Sequence, residues 1–224
     1  MTPSAQSLRI GGLTPLTTLD YPGELAAVLF CQGCPWRCRY CHNGHLLTSR
    51  NRDRIPWSDV RTFLRGRRGL LDALVFSGGE PTLQTALPAA MREGKSLGFK
   101  IGLHTAGPYP NRLQRLLPYL DWVGLDIKAQ PADYPAITGV PGSGERAWES
   151  LRLLLEAGIA LQVRTTVLPG FNDEGDISHL ADRLATLGVQ DHVLQPCRTD
   201  SILDPSLSLI GNPLPPAASG LRLD

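Results

Sequence analysis

With 224 residues, 42% of them hydrophobic, the chain can bury one substantial core, and α/β barrels commonly reach this size undivided. Lys and Arg number 22 against 21 Asp and Glu, so net charge gives no basis for a nucleic-acid or anionic-membrane partner. No apolar run approaches the ~20 residues of a membrane span, and the N-terminus lacks the charged-then-apolar order of a signal peptide, so a soluble, cytoplasmic protein is expected.

Taken in order, residues 1 to 7 carry no periodic apolar signal, and Leu8 to Pro15 reads as an edge strand. Turn-rich Thr17 to Gly23 leads into a buried strand, Glu24 to Phe30, which delivers a cysteine-rich loop at its C-terminal end. Pro56 followed by Val60, Phe63 and Leu64 at helical spacing predicts an amphipathic helix ending near Gly66 to Gly69. Alternation follows: strand Ala73 to Phe76, helix Gln84 to Leu97, strand Lys100 to Leu103, helix Arg112 to Leu117 and strand Trp122 to Leu125. A Pro/Gly-rich loop from Gln130 to Gly144 precedes helix Arg146 to Ala157, strand Leu161 to Val167, helix Asp176 to Leu187 and strand His192 to Gln195. Six strands alternating with helices are too few for a closed eight-stranded barrel, so the expected fold is α/β, an open (βα)6 partial TIM barrel of parallel strands. The expected organisation is one domain over residues 1–199, followed by an irregular Pro-rich tail, 200–224, that includes Pro213 to Pro216.

Four of the five cysteines lie within eleven residues, Cys31 to Cys41, a distribution that suits a metal or cluster rather than bracing disulfides. Cys34, Cys38 and Cys41 follow a C-x3-C-x2-C spacing. Three thiolates are one short of the set that saturates an iron–sulfur cube, which would leave one iron open to a small molecule. Counting Cys31, the pattern also reads as two C-x2-C zinc knuckles, but zinc sites usually place about 12 to 20 residues between knuckles and here there are three. A saturated four-thiolate electron carrier is a further alternative, although the order differs from the ferredoxin run. Cys31 reads as a small buried hydrophobe at the strand end. With only Cys197 elsewhere, no second cluster can be built, so electrons must come from outside.

The loop, with Tyr40 before its last cysteine, resembles that of the radical S-adenosylmethionine (SAM) enzymes, and Ser77-Gly78-Gly79-Glu80-Pro81 matches their second motif. Cys41-His42-Asn43, Gly124-Leu125-Asp126-Ile127-Lys128 and Arg164-Thr165-Thr166-Val167 resemble the activating enzymes of glycyl-radical enzymes, and among these the activators of anaerobic ribonucleoside-triphosphate reductase, over roughly residues 8 to 197. The resemblance implies a fold of radical SAM type, a [4Fe–4S] cluster held by Cys34, Cys38 and Cys41, and SAM as second cofactor. It implies that Gly78, Gly79 and Glu80 hold the SAM amino group, that Tyr40 contacts the adenine, and that Lys128 and Arg164 bind the carboxylate or ribose. His42, Asn43, His104, Thr105 and Asp126 join the cofactor-binding set on the same ground. Flavodoxin or ferredoxin would supply the electron, and a glycyl-radical enzyme, the anaerobic reductase first, would be the partner. The nearest enzymatic rival is 7-carboxy-7-deazaguanine synthase.

Bland readings stand beside these. A lone Gly-Gly-Glu-Pro is an ordinary turn. An isolated Asp-x-Lys is a cap and a solvated lysine, although residues two apart on an extended segment reach the same side. Arg164, in a strand of Val, Leu and Thr, would be costly unless it faces the open barrel or pairs with an anion. His104 departs from the family, whose members often carry an acidic residue there that helps bind a cation. His45, His179 and His192 read as surface or helix-end residues. Seven Arg between Arg50 and Arg68 read as a solvated face, with a docking surface for an acidic partner as the alternative.

Overall fold

The computed structural model describes residues 3–49, 53–167, 172–198, 200–209 and 222–223. The strands are β1 Ile10–Thr17, β2 Ala26–Cys31, β3 Ala73–Gly78, β4 Lys100–Thr105, β5 Trp122–Asp126, β6 Ala160–Val167, β7 His192–Pro196 and β8 Arg222–Leu223, and they follow one another in the sheet in chain order. The α-helices are α1 Trp57–Arg65, α2 Leu87–Ser96, α3 Pro110–Gln114, α4 Tyr134–Thr138, α5 Ser143–Ala157 and α6 Glu174–Thr186. Among the described residues no helix is long and apolar enough to cross a membrane. The chain forms two compact units: residues 1–35, 45–105 and 111–123, and residues 36–44, 106–110 and 124–224.

In the first unit β1 runs antiparallel to β2, with Leu13 opposite Leu29, and β2, β3 and β4 are parallel. Strand β2 is Ala-Ala-Val-Leu-Phe-Cys and almost wholly buried. A continuous apolar run of this kind fits a parallel strand covered on both faces. Tyr21, Ala26, Val28, Ala73, Val75 and Trp122 form one core cluster, in which the Tyr21 and Trp122 rings stack at 5.0 Å. Pro56 precedes α1, whose Trp57 donates from Nε1 to Glu93 of α2 at 2.7 Å. Gln84 clamps the start of the chain, its side chain bonding both the N–H and the carbonyl of Arg9. The arginines Arg54, Arg65, Arg67 and Arg68 are exposed, as a solvated face requires, while 50–52 lie outside the described residues.

In the second unit β6 and β7 are parallel, with Thr165 opposite Leu194, and Val167, Ile177 and Leu194 pack together. Asp173 and Asp176 close a reciprocal capping box that starts α6 two residues before the predicted start. The expected loop Gln130 to Gly144 differs from its prediction. It contains α4, with Pro135 in the first turn and Gly139 closing it at φ +72°, and α5 begins at Ser143 rather than Arg146. The earlier start has two causes: Ser143 shares a 2.7 Å hydroxyl bond with Thr138, and Gly144 lies against Pro131 so tightly that a Cβ would sit 2.2 Å from its carbonyl oxygen. In the expected tail, Pro205–Leu209 forms a 3-10 helix with Leu207 buried; Pro213 to Pro216 lie outside the described residues.

Candidate active site

In the first unit, β2 ends at Cys31, whose side chain is fully buried. Burial pushes its thiol up to about 12. Gly33 turns the chain at φ +93°, after which Gly33 and Cys34 donate to the carbonyls of Leu46 and Leu47 at 2.7 and 3.3 Å. Cys34 is therefore held on a strand-tethered turn, half-buried.

The Gly-Gly-Glu motif at the end of β3 is knitted to that same turn. Gly79 donates to Cys31 and Glu80 to Gly33, at 2.8 and 2.9 Å. A Cβ on Gly78 would lie 2.4 Å from the Cys31 nitrogen, and one on Gly79 would lie 2.5 Å from the Gly33 oxygen. The space beside both glycines is filled by the backbone of the cysteine turn. Glu80 is 1% exposed, and its Oε1 accepts from the Thr82 N–H, the Thr82 hydroxyl and the Thr105 hydroxyl at 3.0, 2.5 and 2.8 Å. Glu80 and Thr105, singled out separately from the sequence, are thus directly bonded. Nε2 of His104 lies 2.8 Å from the carbonyl oxygen of Asp20, which can only accept, so Nε2 carries the proton. Nδ1 then faces the Ser77 hydroxyl at 3.4 Å and the Asp20 carboxylate at 3.9 Å. The acidic group next to the end of β4 therefore comes from residue 20.

In the second unit, Arg37 and Arg39 donate to the carbonyls of Thr138 and Ile137 at 3.0 Å each, Cys41 donates to Cys38 at 3.0 Å, and Arg39 pairs with Asp204 at 2.6 Å. Cys38 and Cys41 stand on this pinned turn half-buried, His42 is exposed, and the backbone of Asn43 bonds the Cys41 sulfur. Tyr40 points inward, 7% exposed, with the Lys128 ammonium 5.3 Å from its ring centre. Lys128 is 5% exposed and reaches Asp126 Oδ2 at 3.2 Å, while Arg164 reaches Asp126 Oδ1 at 3.1 Å. Asp126, Lys128 and Arg164 therefore form one partly buried ion group, drawn from the end of β5 and from within β6, in which two cations meet one carboxylate. Burial pulls the Lys128 ammonium down, but Tyr40, Asp126 and Cys38 together hold it well above its usual range, and of these Asp126 is the anion at neutral pH. Burial raises the Cys38 and Cys41 thiols, and Lys128 is among the charges that oppose it at both.

Tyr134 was missed by sequence reasoning. Its ring is fully buried edge-on to Trp36 at 6.0 Å, and its oxygen accepts from the Lys128 N–H at 2.9 Å. Its place in a Pro-rich stretch hid the short helix that aims it inward.

The profile of the Radical SAM superfamily matches residues 28–184, and the chain belongs to that superfamily. It is 31% identical over 182 residues to a protein of Methanocaldococcus jannaschii named as a glycyl-radical enzyme activating enzyme, covering 77% of this chain and 73% of that one. It is 29% identical to the pyruvate formate-lyase 1-activating enzyme of Escherichia coli K12, covering 76% and 72%. These relatives place the chain with the glycyl-radical enzyme activating enzymes. Among solved structures, SuiB of Streptococcus suis bound to its precursor peptide SuiA aligns with a TM-score of 0.66 at 15% identity, over 84% of this chain and 41% of that one. QueE of Escherichia coli aligns with a TM-score of 0.56 at 20% identity, over 96% and 92%. The chain thus spans about two fifths of SuiB and nearly all of QueE. The fold is the mostly parallel α/β partial barrel of radical SAM enzymes, as the alternation of strands and helices predicts.

The superfamily works with a [4Fe–4S] cluster and SAM, and three features of this chain fit them. Cys34, Cys38 and Cys41 are not in disulfides and are partly exposed, whereas Cys31, also outside any disulfide, is buried. The Tyr40 hydroxyl is buried without a hydrogen-bond partner of ordinary geometry, although Lys128 is its chief charged neighbour. A buried polar group left so costs about 1–3 kcal/mol, which a ligand group hydrogen-bonded to that oxygen would relieve. Asp126 is met by two cations, Lys128 and Arg164, and cationic side chains so placed suit a carboxylate-bearing ligand.

Proposed function

We propose that this chain is an activating enzyme that installs a glycyl radical on a partner enzyme, and that the partner is an anaerobic ribonucleoside-triphosphate reductase. The observation that supports the site assignment is the partly buried group in which Lys128 and Arg164 both meet Asp126, in the same unit as Cys38, Tyr40 and Cys41. When bound, the cluster and SAM supply reductive cleavage of the sulfonium and a 5′-deoxyadenosyl radical able to take a hydrogen from glycine. Everything else falls to the protein. Cys34, Cys38 and Cys41 hold the cluster; Arg164 and Asp126 orient the methionyl end; Tyr40 covers the base; Glu80, fixed by Thr82 and Thr105, holds the amine side. No general base is needed, since the reaction moves an electron and a hydrogen atom. Reduced flavodoxin or ferredoxin is the proposed donor.

Cys41-His42-Asn43 and Asp126-Ile127-Lys128 favour a glycyl-radical activator over the deazaguanine enzyme, as do the relatives, and the choice of the reductase rests on overall resemblance of the chain to its activators. Anaerobic incubation of the reconstituted protein with SAM, reductant and the reductase of the same organism should give the glycyl-radical doublet and an equal amount of 5′-deoxyadenosine. A doublet on pyruvate formate-lyase instead would move the partner within the family. Turnover on 6-carboxytetrahydropterin without any doublet would replace the activase reading by the deazaguanine one. Ligand assignment is tested separately: alanine at Cys34, Cys38 or Cys41 should abolish the intact cube, whereas Cys31→Ala should retain about four irons, the content of one cube.

A further inference from the structure

The turn that carries Cys34 is rimmed by guanidinium groups that the proposed function leaves unused. A Cβ built on Gly33, the residue before Cys34, would lie 2.8 Å from Leu83 Cδ2, 3.4 Å from Ser49 Cβ and 3.9 Å from Arg9 Nη2. Each of these three neighbours brings a cation. Arg9 is half-buried, and its Nε has no hydrogen-bond partner among the described residues. Exposed Arg54 donates to the Ser49 carbonyl at 2.9 Å, and exposed Arg112 donates to the Leu83 carbonyl at 2.6 Å. Ile55 donates to the Ile10 carbonyl at 2.9 Å, so the chain around Arg54 runs beside the chain around Arg9. In sequence, residues 45–54 carry three arginines against one aspartate. We propose that this rim, Arg9, Arg54 and Arg112 about the Cys34 turn, is the docking surface for an acidic one-electron donor protein of the flavodoxin kind.

Charge, not buried area, has to select such a partner. Electron-transfer encounters use small interfaces, below about 1,200 Å², and complementary charge sets their association rate and register. Arginine suits the role because its planar fork meets a carboxylate with two parallel hydrogen bonds. The flavin hydroquinone of the donor loses one electron and the cluster gains it, with no bond made or broken. A nucleic-acid partner is disfavoured, since residues 45–54 contain no Phe, Tyr or Trp on which a base could stack. Arg68, also exposed, does not join the rim. It bridges to Leu71 ahead of the start of β3, whereas Gly33 accepts from Glu80 beyond the end of that strand. Six residues of strand put roughly 20 Å between them, more than two Debye lengths at physiological salt. The inference deepens the proposed function, since it rests on a cluster held at Cys34 and on an outside donor.

The test uses reconstituted protein with flavodoxin as the acidic donor and reduced methyl viologen, a small cation, as the reference donor. Two quantities are read: flavodoxin affinity by surface plasmon resonance, and the rate at which each reduced donor bleaches the cluster in stopped flow. Arg54→Glu combined with Arg112→Glu should weaken flavodoxin binding and slow bleaching by flavodoxin roughly tenfold at low salt, and should flatten the salt dependence of both. Bleaching by methyl viologen should stay at the wild-type rate. Arg9→Gln should act in the same direction on flavodoxin. Arg67→Glu combined with Arg68→Glu, the same change in net charge at the other end of β3, should bind flavodoxin as the wild type does. Wild-type affinity and rate in the Arg54 and Arg112 variant overturn the proposal. An equal loss in the Arg67 and Arg68 variant also overturns it, because net charge would then be the cause. Weakened binding of the glycyl-radical enzyme, with flavodoxin unaffected, would give the rim to that partner and overturn it too. If methyl viologen reduces the wild type but flavodoxin neither binds nor reduces it, the cluster reading stands and this proposal falls. If the wild type takes up no iron, both fall. Should the double variant fail to load iron, the single variants Arg54→Glu and Arg112→Glu decide by the same two readings.

Discussion

The Thr165 hydroxyl has one proton to give, and it goes to the carbonyl of Ile127 at 2.6 Å. The 2.9 Å contact with His192 must then be donated by His192 Nε2–H, which leaves Nδ1 buried without a partner among the described residues. The sequence reading took His192 for a surface or helix-end residue because one histidine with no ligand spacing carries no further signal. Its position at the start of β7, beside the strand that holds Arg164, is a tertiary fact. Burial pulls the ring down to about 4, against the pull of Asp191, from an ordinary value of 6.5. The folded-state value lies below the unfolded one, so the unfolded chain binds the proton more readily. The stability this neutral ring contributes is complete above pH 6.5 and is lost as pH falls through about 4. Allowing for partial solvation, the loss should be on the order of 2 kcal/mol. Urea unfolding of the cluster-free protein should therefore show stability falling between pH 6.5 and 4 more steeply for the wild type than for His192→Gln, whose amide can still donate to Thr165. Parallel curves would show that His192 does not set the acid limit.

At the scale of elements, the strands were legible because β2 and β3 are unbroken apolar runs that end in cysteine or glycine, and sequence shows both the run and its end. Helices α4 and the start of α5 were not, since Pro135, Gly139 and Gly142 look like a loop unless one knows that proline sits in a first turn and glycine closes and opens the turns around it. The glycine motif was legible as a motif but not in its physical role. Gly78 lies at φ +110° with its neighbours' backbone inside contact distance, whereas Gly98, at φ +98°, has open space around it. Gly98→Ala should cost about 1–2 kcal/mol, the strain of a side chain in that conformation. Gly78→Ala adds a collision with the Cys31 backbone that no rotamer can relieve, so its cost should be at least ~3 kcal/mol. Denaturant unfolding of the two cluster-free variants decides: equal losses would mean that the close approach of the motif to the cysteine turn is not rigid.

For the whole molecule, the class of chemistry was readable because the cysteine loop, Gly78 to Glu80, Asp126 to Lys128 and Arg164 all fall at or near strand ends, where parallel α/β folds assemble sites. The choice of partner was not, because the surface a partner touches leaves no spacing or periodicity in the chain. What the whole molecule does make testable is the coupling of ligand to stability. A ligand bound only by the folded state adds RT ln(1 + [L]/Kd), about 2.7 kcal/mol at a hundredfold excess over Kd. For a chain of 224 residues, that should raise the melting temperature by roughly 5–10 °C. Reconstituted wild-type protein with saturating SAM should show this rise. Arg164→Met, which leaves Asp126 paired with Lys128 and removes the guanidinium proposed to meet the SAM carboxylate, should melt lower from the outset and gain little from SAM at the same concentration. Only the increment matters here, since the lost pair with Asp126 already lowers the baseline. An increment equal to that of the wild type would mean that the SAM carboxylate is held elsewhere, and that Arg164 serves only to anchor Asp126 at the end of β5.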